Sequence, residues 1–282
     1  MISFLVLLNT PGMSNTTNPN LPQIVYSATS KRITEGEIFI RQHVLDYIVS
    51  GTSETSFGGK SYQFKAGDFR FARKNRLSKF IKNPLPDGVF KSVSICIDQP
   101  TLEQMREQFQ PSPIHKVNND NVFLLKPNRI FHNYIDSLLP YVESNTTMST
   151  ELVKTKIKEA VLIFLQTNPE LANILFDFSE PGKIDLENYM NEHYLFGGDL
   201  KEFAYLTGRS LSTFKRDFYQ IYGMTPNRWL IRKRLEDAYY LLKEKKWKAT
   251  EVFSEVGFKD YAHFSVVFKK AFGRAPSLIS GG

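Results

Sequence analysis

Residues 199–226, DLKEFAYLTGRSLSTFKRDFYQIYGMTP, and residues 249–276, ATEVFSEVGFKDYAHFSVVFKKAFGRAP, are two copies of one pattern. At an offset of 50 residues, the identities are Phe203 with Phe253, Phe214 with Phe264, Phe218 with Phe268, Gly223 with Gly273, and Pro226 with Pro276. Because a solenoid requires more copies than two, this repeat predicts a duplicated supersecondary unit.

Each copy has the signals of two helices joined by a tight turn. In the first copy, Asp199 is expected to cap a short helix that stops near Gly208. Ser210 then caps a second helix, which Gly223 ends. The predicted core face of this second helix consists of Leu211, Phe214, Phe218 and Ile221. A helix, a turn containing glycine and a second helix with a polar outer face predict a helix-turn-helix.

The second copy follows the same plan, with Asp260 as the cap of its second helix. The predicted units span about 199–223 and 248–273, and one linker helix of about 226–245 joins them. An apolar stripe on the linker, and the aromatic residues of both units, are interpreted as core. The two tryptophans, Trp229 and Trp247, are interpreted in the same way.

Positive charge is concentrated in this part of the chain. The formal net charge of the 282 residues is +7. Residues 209–234 carry seven Lys and Arg side chains but only one carboxylate, Asp217. Such a segment is typical of a phosphate-binding surface, although charge alone favours the alternative of a solvated helix face.

The first part of the chain has a different composition. Residues 24 to about 98 contain short runs of β-branched and aromatic residues separated by turn signals, a pattern that predicts an antiparallel barrel or sandwich. Helical spacing follows over 127–142 and 150–166. We therefore expect an α+β fold: a disordered N-terminus at 1–23, an antiparallel, cupin-like β-barrel with following helices at 24–180, and an all-α domain at 183–282.

Several classes of protein are disfavoured by what the sequence lacks. Cys96 is the only cysteine, which excludes an internal disulfide and suits a reducing cytosol. No apolar run approaches the roughly 18 residues of a membrane span. The histidines have no ligand spacing, and no nucleotide-binding loop or nucleophile motif is present. The sequence therefore predicts neither an enzyme nor a cofactor or metal site.

The segments RLEDAYYLL (234–242) and EVGFKDYAHFSVVFKKAFGRAP (255–276) resemble the signature of the DNA-binding domain of AraC/XylS-type transcription regulators. The resemblance covers about 186–276, and the preceding part is similar, less specifically, to that family's effector and dimerisation half. It implies that the second helix of each unit enters the major groove of DNA, with the two insertions about one helical turn apart.

The residues that the resemblance places against DNA are Ser212, Thr213, Lys215, Arg216, Tyr261, Ala262, His263, Val266, Lys269 and Lys270. Arg216 suits a bidentate contact to guanine. The family usually has arginine where this chain has Val266, so the second unit is expected to read few bases while Lys269, Lys270 and Arg274 hold phosphates. We therefore expect asymmetric readout.

The resulting prediction is a sequence-specific, cytoplasmic transcription regulator, with activation favoured, whose N-terminal domain receives a signal. Its implied partners are double-stranded promoter DNA and RNA polymerase, together with a small-molecule or protein effector. The helices of 127–166 leave two interpretations open, pairing with a second chain or covering the barrel. The alternative functions are a barrel enzyme with an accessory nucleic-acid-binding domain and a non-specific architectural DNA binder.

Overall fold

The computed structural model describes residues 4–7, 23–57, 60–107, 120–126, 128–143 and 146–280. It divides into two compact units. The first unit contains most of the chain up to Ser179, and the second contains residues 180 onward together with the short segments Glu35–Phe39 and Leu77–Lys79. Part of the predicted disordered N-terminus is a strand, because Phe4–Leu7 pair with the strand that begins at Gln23. The rest of that stretch lies outside the described residues.

The strands are β1 Phe4–Leu7, β2 Gln23–Thr29, β3 Ile33–Ile40, β4 His43–Ser50, β5 Thr52–Phe57, β6 Lys60–Lys65, β7 Phe69–Ala72, β8 Arg76–Asn83, β9 Phe90–Ile97 and β10 Val122–Leu124. The helices of the first unit are α1 Gln99–Arg106, α2 Arg129–Glu143, α3 Thr150–Thr167 and α4 Ala172–Leu175, with a 3-10 turn at Pro169–Leu171. The helices of the second unit are α5 Leu186–His193, α6 Leu200–Leu206, α7 Leu211–Tyr222, α8 Pro226–Lys243, α9 Ala249–Glu255, α10 Tyr261–Phe272 and α11 Pro276–Ser280.

The described strands form two sheets, with the orders β1-β2-β9-β4-β7-β10 and β3-β8-β5-β6. The pairings of known register, such as β4 with β9 and β5 with β6, are antiparallel. The α+β class and the antiparallel arrangement are therefore confirmed. Among the described residues the strands form two separate sheets, so the predicted cupin-like barrel is not closed, and the sheets share an apolar cluster as in a sandwich, the other predicted alternative.

The larger sheet of the first unit is covered by α2 and α3. Leu45, Phe69 and Phe71 belong to the same buried cluster as Ile157 and Phe164 of α3. Alternate residues of the same strands point to the opposite face, where Ile48 and Ala72 join Phe57 and Phe64 of the smaller sheet in another cluster. The apolar stripe of α3 therefore covers the sheet, which was one of the two interpretations open from the sequence.

The second unit has two cores that share one helix. Trp229 and Leu230, near the start of α8, pack with Phe203, Phe214 and Phe218. Further along the same helix, Leu235, Ala238 and Leu242 pack with the core of the second copy, which includes Phe264 and Phe268. The linker helix thus contributes its first half to one core and its second half to the other.

Candidate nucleic-acid interface

Both predicted helix-turn-helix units are present, and their local signals act as the sequence indicates. The Ser210 hydroxyl accepts a hydrogen bond from the Thr213 amide at 3.2 Å, which caps α7. The Asp260 carboxylate accepts one from the His263 amide at 2.6 Å, which caps α10. Gly223 ends α7 with φ 64°, and its repeat partner ends α10 with φ 75°. These left-handed conformations favour glycine, so the repeated glycines have a common physical cause.

All but one of the repeated phenylalanines are core residues, as predicted, and Phe253 is half-buried against the second core. The side chains of Phe203, Phe214, Phe218, Phe264 and Phe268 are fully buried. The sequence interpretation was wrong at two other positions. Ile221 is 42% exposed because it lies in the last turn of α7, and Trp247 is 41% exposed because it follows the end of α8.

On α7, the polar face predicted from the sequence is solvent-accessible. Ser212, Lys215 and Arg216 are exposed, whereas Thr213 is half-buried. The hydroxyls of Ser212 and Thr213 each lie 3.0 Å from that of Ser210, so both belong to the capping network. Lys215 and Arg216 are therefore the extended cationic side chains that this helix presents to solvent.

The carboxylate of Asp217 contacts three cationic side chains near α7. Its carboxylate accepts a hydrogen bond from Arg209 at 3.1 Å, and it lies 3.3 Å from Arg216 and 3.5 Å from Lys183. The hydrogen bond from Arg209, together with the neighbouring charges, lowers the pKa of Asp217 below its ordinary value. One carboxylate thus stays ionised among three cations, and its Oδ1 accepts a hydrogen bond from Nη2 of Arg216 while 68% of the Arg216 side chain remains exposed.

The basic segment found in the sequence is only partly a surface. The guanidinium of Arg209 donates to the Ile184 and Thr207 carbonyls, and its side chain is 7% exposed. Arg234 donates to two main-chain carbonyls and is half-buried. These two arginines are therefore structural, and counting charges along the sequence overstated the density of the phosphate-binding surface.

On α10, the candidate residues form a face of different chemistry. Ala262, His263, Val266, Lys269 and Lys270 are exposed. Ala262, Val266 and Lys269 succeed one another on the same side of the helix, opposite the buried Phe264 and Phe268. The outer face of α10 therefore begins with small apolar groups and ends with cations.

Tyr261 differs from the other candidates because it is half-buried. Its ring contacts those of Phe253 and Phe264, with centroid distances of 5.6 and 6.1 Å. At the offset of 50 residues its equivalent is Leu211, a core-facing position. Packing thus accounts for much of the Tyr261 ring.

The offset of 50 residues also relates the two outer faces. Arg216 is equivalent to Val266, and Tyr219 is equivalent to Lys269. Tyr219 is 59% exposed and was not among the predicted DNA-binding residues. The offset therefore places Tyr219 at the position of a predicted phosphate-binding lysine, on the same outer face as Lys215 and Arg216.

The first unit holds a buried ion pair between its two sheets. Arg70 on β7 donates from Nε to Oδ2 of Asp46 on β4 at 2.7 Å, and it also donates to Thr55 of the smaller sheet. Ser94 donates to the other oxygen of Asp46 at 2.5 Å, and the guanidinium lies over the Phe64 ring at 4.7 Å. Because both charges are bonded to neighbouring groups, the pair connects the two sheets.

Aromatic side chains from the strands mainly fill the interior of the first unit. Phe57, Phe69 and Phe71 are buried within the two apolar clusters, whereas Tyr47 and Tyr62 are half-buried at their margins. In the described part of the chain, no group of three His, Cys, Asp or Glu side chains could hold a metal ion. None of the described helices is long and apolar enough to cross a membrane.

Two families match the chain in succession. Residues 43–174 match the family described as the ExsA N-terminal regulatory domain, and residues 203–279 match one described as a helix-turn-helix domain. The two matches fall on the two kinds of structure described above, the sheets with their helices and the duplicated helical units.

Similar proteins cover most of the chain. It is 25% identical to the thermoregulatory protein LcrF of Yersinia pestis, over 84% of this chain and 88% of that protein. It is 24% identical to the virulence regulon transcriptional activator VirF of Yersinia enterocolitica over the same shares. The HTH-type transcriptional regulator ExsA of Pseudomonas aeruginosa is 30% identical over 45% of this chain and 46% of its own length. A crystal structure of ToxT from Vibrio cholerae has 17% identity and a TM-score of 0.42, over 92% of this chain and 97% of that chain.

Proposed function

The chain belongs to the AraC/XylS-type transcription regulators, and from this premise we propose that it activates transcription by reading a promoter with α7 and α10. Each helix inserts its outer face into the major groove, and the two grooves lie side by side on one face of the DNA. The observation that carries this proposal is the pair of exposed helix faces, each set on its own buried core.

In this proposal α7 supplies most of the base-specific hydrogen bonds. Arg216 makes a bidentate contact to the N7 and O6 atoms of a guanine, because a guanidinium presents two parallel donors at that spacing. Lys215 reaches an adjacent base or phosphate. Ser212 and Thr213 lie near the start of the helix. The Thr213 hydroxyl accepts from Ser210 and so keeps its own proton to donate to the DNA backbone, with the exposed Ser212 hydroxyl beside it.

In contrast, α10 supplies mainly shape and charge. Ala262 and Val266 offer no hydrogen-bond donor, so they suit contact with a thymine methyl group. His263 is the exposed polar side chain at the start of this helix, and Tyr261 adds a contact from its accessible edge. Lys269 and Lys270 bind phosphates, which add affinity without specifying a base.

The N-terminal domain regulates this activity. A small molecule or a protein that binds the first unit shifts the population of molecules competent to bind DNA or to pair with a second copy. We further propose that the DNA-bound protein contacts RNA polymerase and that it acts in the cytoplasm. Its similarity to proteins named as transcriptional activators supports activation over repression.

The proposal is tested with the full-length protein carrying Arg216→Ala, measured against a set of single-base variants of its binding site. A lost bidentate contact is worth about 1–3 kcal/mol, so wild type should discriminate against the wrong base by roughly 5- to 150-fold and the variant should not. Binding to sites altered elsewhere should keep its pattern of discrimination.

Lys269→Ala serves as the contrasting variant, because it removes a cation from the proposed phosphate-binding part of α10. It should weaken binding to all sequences alike and reduce the salt dependence of log K by about one. If Arg216→Ala also weakens binding uniformly, Arg216 contacts only phosphate. Uniform affinity of the wild type for every sequence would favour the architectural alternative.

A further inference from the structure

A short segment between α5 and α6 packs against both cores of the second unit, one in each helix-turn-helix. Tyr194 and Phe196 pack in the first core, where their rings meet Trp229 at 6.2 Å and Phe203 at 5.2 Å. Leu195, between them, packs against the second core. Residues 194–197, here called the bridging segment, therefore contact both helix-turn-helix units through successive side chains.

Arg234 of α8 holds the main chain of the bridging segment. Its Nε donates to the Tyr194 carbonyl at 2.8 Å, and its Nη2 donates to the Phe196 carbonyl at 2.6 Å. Burial lowers the pKa of Arg234 to about 10, well below its usual range. A lysine could not reproduce this arrangement, because a guanidinium places two donors in a rigid planar fork.

The turn between α9 and α10, in the second helix-turn-helix, also contacts the bridging segment and Arg234. Gly257 has φ +83°, and a Cβ added there would lie 2.3 Å from the Leu195 carbonyl oxygen and 3.1 Å from Nε of Arg234. A side chain at Gly257 would therefore overlap the bridging segment. The linker helix, the bridging segment and the turn between α9 and α10 are thus packed so closely that no side chain fits at Gly257.

A third contact reinforces this junction. The Tyr194 hydroxyl donates a hydrogen bond to Asp237, one turn further along α8. Its anchorage at both Arg234 and Asp237 prevents the bridging segment from sliding along the linker helix. The covalent connection between the two helix-turn-helix units runs through α8, and the bridging segment adds contacts with the cores of both.

We propose that Arg234 is a positioning residue that sets the distance and rotation between the two recognition helices, and hence the half-site spacing that the protein accepts. This inference rests on the proposed function, since it requires both α7 and α10 to contact DNA. One added base pair turns the following half-site by about 34° and moves it by about 3.4 Å. A rigid junction cannot follow that change, whereas a loosened junction can.

The test uses the full-length protein and the DNA site that the wild type selects from random duplexes. Affinities are measured for that site and for versions with one base pair inserted or deleted between its halves. Wild type should lose about tenfold or more at the altered spacings. Arg234→Met should bind the original site less tightly and should discriminate between spacings by less than about threefold. Without the two hydrogen bonds to the bridging segment, the two helix-turn-helix units can move relative to each other.

The matched control is Arg232→Met on the same helix. The Arg232 side chain is 55% exposed, and it pairs with Glu236 at 3.6 Å rather than with the bridging segment. This variant loses the same charge, yet it should keep the wild-type ratio between spacings. If Arg234→Met does not fold, Arg234→Lys carries the same comparison, with an intermediate ratio expected because charge is retained without the fork.

The outcomes separate the two proposals. If wild type prefers one spacing and the Arg234 variants keep that preference, the positioning role is overturned while the DNA-binding function stands. If wild type binds a specific sequence but accepts every spacing, the junction is not rigid and the positioning role is overturned, whereas absence of any sequence preference in wild type would overturn the proposed function itself. A lowered affinity that is equal at all spacings would assign Arg234 to folding alone, and this outcome also overturns the inference.

Discussion

The two glycines Gly257 and Gly273 offer a direct test of the junction, because they share a backbone conformation but not their surroundings. Their φ angles are +83° and +75°. A Cβ added at Gly273 meets nothing within 4 Å, whereas one added at Gly257 lies 2.3 Å from the Leu195 carbonyl oxygen. Replacing each by alanine therefore separates the cost of the left-handed conformation from the cost of displacing the bridging segment.

The expected magnitudes follow from these contacts. Gly273→Ala should lower the free energy of unfolding by about 1–2 kcal/mol, the cost of a left-handed alanine. Gly257→Ala bears the same cost, and it must also push away a carbonyl whose two neighbours accept hydrogen bonds from Arg234. Weakening one such charged hydrogen bond adds about 1.5–3 kcal/mol. The total is then about 2.5–5 kcal/mol.

The assay is equilibrium unfolding in urea, followed by tryptophan fluorescence. The chain has two tryptophans, Trp229 and Trp247, and both lie in the second unit. Because Trp229 is buried, its emission reports the loss of that unit's packing without interference from the N-terminal domain. Equal destabilisation by the two alanines would refute the close approach of the second turn to the bridging segment.

Three further predictions concern other parts of the molecule. Asp46→Ala should destabilise the first unit by about 3–5 kcal/mol in thermal unfolding, because it leaves the charge of Arg70 buried and unpaired; a loss below about 1 kcal/mol would mean that water reaches Arg70. Burial, together with the nearby charge of Asp46, raises the pKa of the Cys96 thiol to about 12, so the reactive thiolate is scarce at pH 8. Its reaction with a disulfide reagent should therefore be slow in the native protein and fast in urea, and rapid native reaction would contradict this. Tyr219→Ala should weaken DNA binding without changing base preference or stability, since its side chain is exposed on the outer face of α7; unchanged affinity at low salt would remove Tyr219 from the interface.

The sequence predicted the second unit well because its signals are local. A capping residue, a turn glycine and a buried aromatic residue each act on their near neighbours in the chain. Their recurrence at an offset of 50 residues therefore predicted both helix-turn-helix units. Ser210 and Asp260 cap their helices as expected, and the paired phenylalanines Phe214, Phe218, Phe264 and Phe268 are buried. The interpretation of Ile221 as core was wrong because helical spacing does not show where the supporting surface ends.

The features that the sequence did not predict depend on distant residues. Arg70 and Asp46 come together through the register of β4 with β7, and neither strand alone indicates a buried ion pair. Arg234 stands in a run of basic residues, yet its partners are carbonyls about 40 positions earlier in the chain. A count of charges could not distinguish such an arginine from Arg216, whose side chain is 68% exposed.

The outer faces of α7 and α10 lead to different expectations for the two halves of a binding site. Arg216 can hydrogen-bond a base edge directly, whereas the equivalent Val266 can only make apolar contact. Since each matched hydrogen-bonding pair discriminates against a wrong base by about 1–3 kcal/mol, most of the sequence information should lie in the half that α7 reads. The half read by α10 should contribute affinity through the two lysines that follow Val266 on that helix.

Selection of random duplex DNA by the full-length protein, at a stated salt concentration, tests this account most directly. It predicts one motif spanning two adjacent major-groove segments, with an invariant guanine in the half read by α7 and weaker preferences in the half read by α10. Recovery of salt-sensitive binding without any motif would contradict sequence-specific regulation. A motif of equal strength in both halves would contradict the asymmetric readout derived from Arg216 and Val266.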